Sequence, residues 1–196
     1  MVEPVSRDYS QVAAQVFLEG AQELLGNERL EGFHGRPVNE DGFAFQDVRA
    51  LLRYLEEAYG APGGRGLALR IGRAVFRHGL KELGGQAGFR DMEYRILPSP
   101  RRVEQGLQTL AQLVGDTFQS PVAVTDEESH WQWRMDACPV CQGCRTEDPG
   151  CYLVVGLIQE FATWAAGGRF YRVKETGCRA AGDPACVFCI EKKPLD

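Results

Sequence analysis

The chain has 196 residues, 44% of them hydrophobic and 25% charged, with a formal net charge of -5. Those proportions suit one packed domain, or one domain with an extension, and exclude wholesale disorder. The acidic balance argues against a protein that coats nucleic acid, which needs a basic face. No apolar run approaches the ~20 residues that span a bilayer, and the mixed, charged opening from Met1 to Ser10 does not read as a secretory signal. A cytoplasmic protein is expected.

In chain order, the N-terminal part reads as helical. Val12, Val16, Phe17, Leu24 and Leu25 recur at helical spacing, with Gly26-Asn27 as a stop. Glu31 to Phe45 has no period and reads as a loop. Val48, Leu51, Leu52, Leu55 and Tyr59 then mark one face of a helix that Gly60 ends. A turn over residues 61–66 is expected to lead into a helix carrying Leu67, Ile71, Val75 and Leu80. Glycines 66, 72 and 79 weaken that helix, and close helix packing is their preferred explanation over approach to a ligand. Arg70, Arg73 and Arg77 read as a solvated basic face, with an acidic ligand as the alternative. Ser99-Pro100 reads as cap and first turn of an amphipathic helix through Val103, Leu107, Leu110, Val114 and Phe118.

The C-terminal part mixes strands with one buried helix. Pro121 to Val124 and His130 to Met135 read as a hairpin; Trp131, Trp133 and Met135 alternate with polar residues, so one face is buried. From Cys151 to Ala166 the chain is apolar all round, which requires a helix covered on most sides. Phe170 to Glu175 and Cys186 to Glu191 read as a second hairpin around a Gly/Asp/Pro loop. The expected architecture is α+β: N-terminal helices packed with a small antiparallel sheet and a buried C-terminal helix. Residues 1–45 read as a helical extension and 46–196 as the domain proper.

Cysteine usage carries the chemistry. All seven cysteines lie between Cys138 and Cys189, a clustering more typical of a metal site than of a disulfide framework. With side chains alternating along each strand, Glu175 and Cys186 can share a face while Cys189 takes the other. Cys178, at the loop mouth, can join them. Cys151 is the natural fourth ligand, because it opens the buried helix where free N–H groups stabilise a thiolate. Cys151, Glu175, Cys178 and Cys186 would suit a closed, structural zinc site; the competing reading makes the cysteines small core residues and Glu175 a surface charge. Cys138, Cys141 and Cys144 open like a ferredoxin motif, but the next cysteine comes too late. Free or loosely paired thiols are the preferred reading of that run. The alternatives are an iron–sulfur cluster completed by Cys189, a second zinc, or a redox-labile dithiol.

The stretch from Glu175-Thr-Gly-Cys178 through Gly182-Asp183-Pro184-Ala-Cys186-Val-Phe188-Cys-Ile190 resembles the C-terminal signature of the 4-vinyl reductase domain family. Cys138-Pro-Val-Cys141, Pro149-Gly-Cys151 before an apolar helix, and Gly167-Gly168 also fit. The resemblance implies a fold similar to subunits of the TRAPP vesicle-tethering complex, commonly dimeric, and a role in binding small molecules. In phenol-sensing members of the family zinc is held by a Cys followed by Glu-x2-Cys-x7-Cys, a spacing that Glu175, Cys178 and Cys186 reproduce. Cys144 and Cys189 fall outside the pattern. The reductase name has no mechanistic support here, since there is no dinucleotide fingerprint, no nucleophile–base pair and no open metal position. The expected function is therefore a zinc-stabilised binding or sensor module for an apolar or aromatic small molecule, more a receptor than an enzyme. Its pocket would be walled by Phe76, Trp131, Trp133, Phe161 and Trp164. The rival expectation is a redox protein or reductase with an iron–sulfur cluster in the cysteine-rich segment.

Overall fold

A computed structural model describes residues 9–34 and 45–195. Its order is α1 (Tyr9–Leu25), α2 (Asn27–His34), α3 (Phe45–Leu83), α4 (Met92–Arg95), α5 (Ser99–Phe118), β1 (Val122–Asp126), β2 (His130–Met135), α6 (Tyr152–Ala165), β3 (Val173–Gly177) and β4 (Cys186–Glu191). The fold is α+β, with a four-stranded antiparallel sheet in the order β1-β2-β4-β3.

The helices differ from the sequence expectation in two places. Residues 31–34 belong to α2 rather than to a loop, while the rest of the expected loop, 35–44, lies outside the described residues. Residues 61–66 are helical rather than a turn. The break is confined to Gly60, whose φ of 72° and ψ of 161° admit no other residue without strain, and Pro62 sits in the first turn of the second arm. There the missing N–H of proline has no helical partner to lose. α5 begins at Ser99 with Pro98 in the cap position, and no side chain caps it.

α6 is buried along Leu153, Val154, Ile158, Phe161 and Ala162, as an apolar helix must be. Its closest neighbour is α3. A methyl group on Gly72 would collide with the Leu153 carbonyl, and one on Gly156 with the Leu69 carbonyl, so each helix presses a glycine against the other's backbone. The sheet supplies the second cover. Trp131, Trp133 and Met135 of β2 and Cys186, Phe188 and Ile190 of β4 are all buried, on alternate positions. β3 starts later than the pattern predicts, because 170–172 join the sheet only through separated bonds from Glu191 N to the Arg172 carbonyl and from Leu195 N to the Phe170 carbonyl. It also carries a register shift between Glu175 and Gly177.

Candidate metal centre and adjoining cavity

Six donor side chains converge where the end of β2, the start of α6 and the β3–β4 loop meet. Cys138, Cys141, Cys151 and Cys186 place their sulfurs within 4.8 Å of one another; so do the ligand atoms of Cys151, Glu175, Cys178 and Cys186. Every one of these residues is buried.

Local structure explains each placement. Cys151 occupies the cap position of α6, its carbonyl accepting the Val154 and Val155 N–H groups at 2.9 and 3.1 Å. Its own N–H donates to Glu175 Oε2 at 2.8 Å, tying the helix start to β3. Glu175 faces Phe188 in the ladder, and Cys186 lies two residues before Phe188 on that same face. Cys178 is held by Asp183, whose carboxylate accepts the Cys178 N–H at 2.7 Å while its own N–H donates back to the Cys178 carbonyl at 3.1 Å. Asp183 lies outside the ligand pattern and is recognisable only as a turn residue whose side chain bonds nearby backbone.

Sulfur–sulfur separations are 3.7 Å for Cys138–Cys151, 3.4 Å for Cys141–Cys186, 3.9 Å for Cys151–Cys178 and 4.0 Å for Cys151–Cys186. Two thiolates on one tetrahedral zinc, each about 2.3 Å from the ion, stand about 3.8 Å apart. Glu175 is 9% exposed and its Oε1 has no hydrogen-bond partner, an arrangement that costs free energy unless something binds that oxygen. Burial raises the Glu175 carboxyl above its ordinary range and pushes the Cys178 thiol up to about 12. A cation among these donors reverses that tendency, since coordinating thiols ionise outright. The donor set fits a metal ion.

The remaining cysteines are apart from it. Cys144 is exposed, and Cys189 lies on the other face of β4, 3.5 Å from Thr176 Oγ1. Neither joins Cys138 and Cys141, so the structure does not assemble the iron–sulfur ligand set that would use Cys189. Cys138 and Cys141, expected as thiols beside the site, are part of the cluster itself. Their loop position, without strand or helix period, hid that from a reading based on parity.

Beside the cluster lies an apolar cavity of about 130 Å³. Phe17 of α1, Phe76 of α3, Leu110 of α5, Trp133 of β2, Val140 of the Cys138–Cys141 loop and Val154 of α6 each form part of its wall. Trp133 is fully buried, and its indole Nε1 has no acceptor. The other aromatic residues singled out from the sequence sit elsewhere. Trp131 packs against Tyr171, with ring centroids 6.3 Å apart, and Phe161 packs against Phe76 and Phe89. Trp164 is 37% exposed and borders an outer groove with Lys81, Arg90, Arg95 and Arg102. The basic face of α3 is partly engaged: Arg73 donates to Gln159 Oε1 at 2.7 Å, and Arg77 pairs with Glu23 and Glu160.

Residues 131–192 match the sequence profile of the 4-vinyl reductase domain. This segment is a 4-vinyl reductase domain. It contains β2, α6, β3, β4 and all six donors. No curated protein matches the chain in sequence. Among solved structures, the phenol-responsive sensory domain of the transcription activator PoxR with phenol superposes with a TM-score of 0.56 at 19% identity, covering 75% of this chain and 73% of that one. An H-NOX protein from S. oneidensis in the Fe(II)NO state gives 0.62 at 12% identity, with 95% and 99% covered. A second H-NOX protein, a mutant from K. algicida in the Fe(II) unliganded state, gives 0.54 at 10% identity, with 95% and 97% covered. The 4-vinyl reductase segment therefore sits in a fold shared with both kinds of protein. Among the described residues no helix is long and apolar enough to cross a membrane.

Proposed function

We propose that this chain is a receptor for a small, mostly apolar molecule of about one aromatic ring, built on a zinc-stabilised 4-vinyl reductase domain. The observation that carries the reading is the cavity: about 130 Å³, apolar on nearly all sides, with one buried indole N–H lacking an acceptor on its wall. A dry cavity of about 150 Å³ lined by Leu, Ile and Phe holds benzene. An otherwise apolar pocket with a single donor favours a ring bearing one oxygen or nitrogen. PoxR, whose sensory domain was solved with phenol, supports the same ligand class.

A tetrapyrrole fits poorly. The volume is that of a single ring, and no histidine or cysteine is among the residues that line it. Zinc is favoured for the metal because the donors are thiolates with one carboxylate, crowded to the spacing of a single tetrahedral shell. The role is structural, since four protein ligands leave no open position.

Thermal denaturation with benzene, toluene, phenol and indole tests the reading. A ligand at 100 times its Kd stabilises by about 2.7 kcal/mol, or roughly 5–10 °C in Tm for a chain of this size. A rise of that order with the single-ring compounds supports the receptor. No rise with any of them at millimolar concentration overturns it.

A further inference from the structure

We propose that the cysteine cluster is a binuclear centre: two metal ions bridged by the Cys151 and Cys186 thiolates, one completed by Cys138 and Cys141 and the other by Glu175 and Cys178. This rests on the metal-bound reading above and extends it from one ion to two.

The observation is the way the six donors divide. The two four-donor groups share Cys151 and Cys186 and nothing else. Each group has the compactness of one tetrahedral shell, and each adds two private donors to the common pair. Cys151 and Cys186 are both fully buried, 4.0 Å apart, at the middle of the set. Cys138 lies 3.7 Å from one shared sulfur and Cys141 lies 3.4 Å from the other, while Cys178 approaches Cys151 from the opposite group at 3.9 Å.

A single tetrahedral ion can use only four of these six groups. If it takes Cys138 and Cys141, the Glu175 carboxylate stays buried with Oε1 unpartnered, and nothing offsets its desolvation. If it takes Glu175 and Cys178, two buried thiols remain pressed against thiolates within 4 Å. Two ions use all six. The charge count does not oppose the second ion: six singly charged donors around two dications leave the same residual -2 as four donors around one. A thiolate has lone pairs enough to bridge, so the shared sulfurs need no further donor.

The second ion also has something to hold. Pro139 and Val140, between its two private ligands, line the apolar cavity. The segment carrying them has few ties of its own: Gln142 N to the Cys138 carbonyl at 3.1 Å, Cys144 N to the Cys141 carbonyl at 3.0 Å, and Thr146 N to the Ala180 carbonyl at 3.0 Å. Anchoring Cys138 and Cys141 to the sulfurs of α6 and β4 fixes that part of the wall.

Native mass spectrometry of the full chain, loaded with zinc and freed of excess, decides the matter. Two zinc ions per wild-type chain, falling to one in the Cys138→Ser/Cys141→Ser double variant, are expected. One zinc in the wild type overturns the second ion but leaves the single-ion reading intact. Two zinc ions retained in the double variant place the second ion elsewhere and also overturn the proposal. No metal, or iron in place of zinc, overturns both readings. Should the double variant not fold, wild-type protein loaded with cadmium-113 suffices. Two NMR signals that split one another through the shared sulfurs support the bridge; one signal, or two without mutual coupling, refute it.

Discussion

Met135 and Cys186 face each other across the β2–β4 ladder. Met135 lines the apolar cavity and Cys186 belongs to both donor groups, so the cavity wall and the metal centre are one residue pair apart. Leu153 and Val154, just after Cys151, line the same cavity. Stripping the metal therefore releases three parts of the wall: the end of β2, the loop after it and the start of α6. Removal with a strong chelator is expected to abolish any ligand-induced rise in Tm and to melt the C-terminal sheet, since structural zinc contributes on the order of 10–16 kcal/mol in small peptides. Circular dichroism and thermal melts before and after re-addition of zinc check this; unchanged melting in chelator would contradict it.

Substitution of single cysteines should divide them sharply. Cys178→Ala and Cys186→Ala each remove a buried donor from the cluster, and a loss of more than about 4 kcal/mol is expected, the range associated with a lost metal ligand. That corresponds to a fall in Tm of roughly 8–16 °C for a chain of this size. Cys144→Ala and Cys189→Ala touch neither donor group and should stay within about 0.5 kcal/mol of wild type. Four thermal melts compare the pairs, and equal losses in all four would remove the distinction.

How much of this was legible beforehand follows from periodicity. Two-residue alternation places Glu175 and Cys186 on one sheet face and Cys189 on the other, and the ladder has them so. The apolar run after Cys151 identifies α6, because a helix without a polar side must be covered. Cys138 and Cys141 lie in a loop, where no period indicates direction; only the folded backbone brings them to the same sulfurs. Gly60 shows a similar boundary. Glycine marks the break in α3, but whether the following Ala-Pro-Gly-Gly continues as helix depends on packing, which propensity alone resolves wrongly. The cavity was the least legible feature, since its wall takes single residues from six segments far apart in sequence.

Two glycines of α3 should respond in opposite directions to the same change. Gly72→Ala drives a methyl group into the Leu153 carbonyl of α6. Neither backbone can retreat without disturbing the helix pair, so a loss of about 1–3 kcal/mol is expected, as for other overpacked sites. At Gly66 an added methyl group meets no atom within 4 Å, and removing a helix-interior glycine gains about 0.5–1 kcal/mol. Gly66→Ala should therefore melt a few degrees above wild type and Gly72→Ala below it. A destabilised Gly66→Ala would mean that its methyl group meets a neighbour after all, and a neutral Gly72→Ala that the α3–α6 contact yields easily.

Glu23 of α1 reaches Arg77 of α3 at 2.6 Å and His78 at 2.9 Å. The Arg77 guanidinium chiefly holds the Glu23 carboxyl below its ordinary range. A carboxyl depressed in the folded state contributes stability above its unfolded pKa, near 4.3, and loses it as pH falls through the folded value. Both side chains are about two-fifths exposed, so solvent screening confines the contribution to about 0–1 kcal/mol. Glu23→Gln should thus lie slightly below wild type in denaturant titrations at pH 7, with the gap closing below about pH 4. A gap that widens on acidification would reverse the assigned sign.

Trp133→Phe and Val114→Phe separate the two properties of the cavity, its donor and its volume. Phenylalanine at 133 keeps an aromatic wall but removes the Nε1–H. Phenol should then lose the net value of one hydrogen bond, about 0.5–1.5 kcal/mol or roughly 2- to 12-fold in Kd, while toluene, which has no acceptor oxygen, should bind about as before. Val114 lies on α5 at the cavity wall and outside both donor groups. A phenyl ring in its place fills space that a ligand would occupy, so phenol and toluene should both bind more than about 10-fold more weakly, a change of at least about 1.4 kcal/mol. Zinc content should be unchanged in each variant. Calorimetric titration with both ligands checks the pair: equal weakening of phenol and toluene by Trp133→Phe would mean the indole acts through shape alone, and undiminished binding in Val114→Phe would place the ligand outside this cavity.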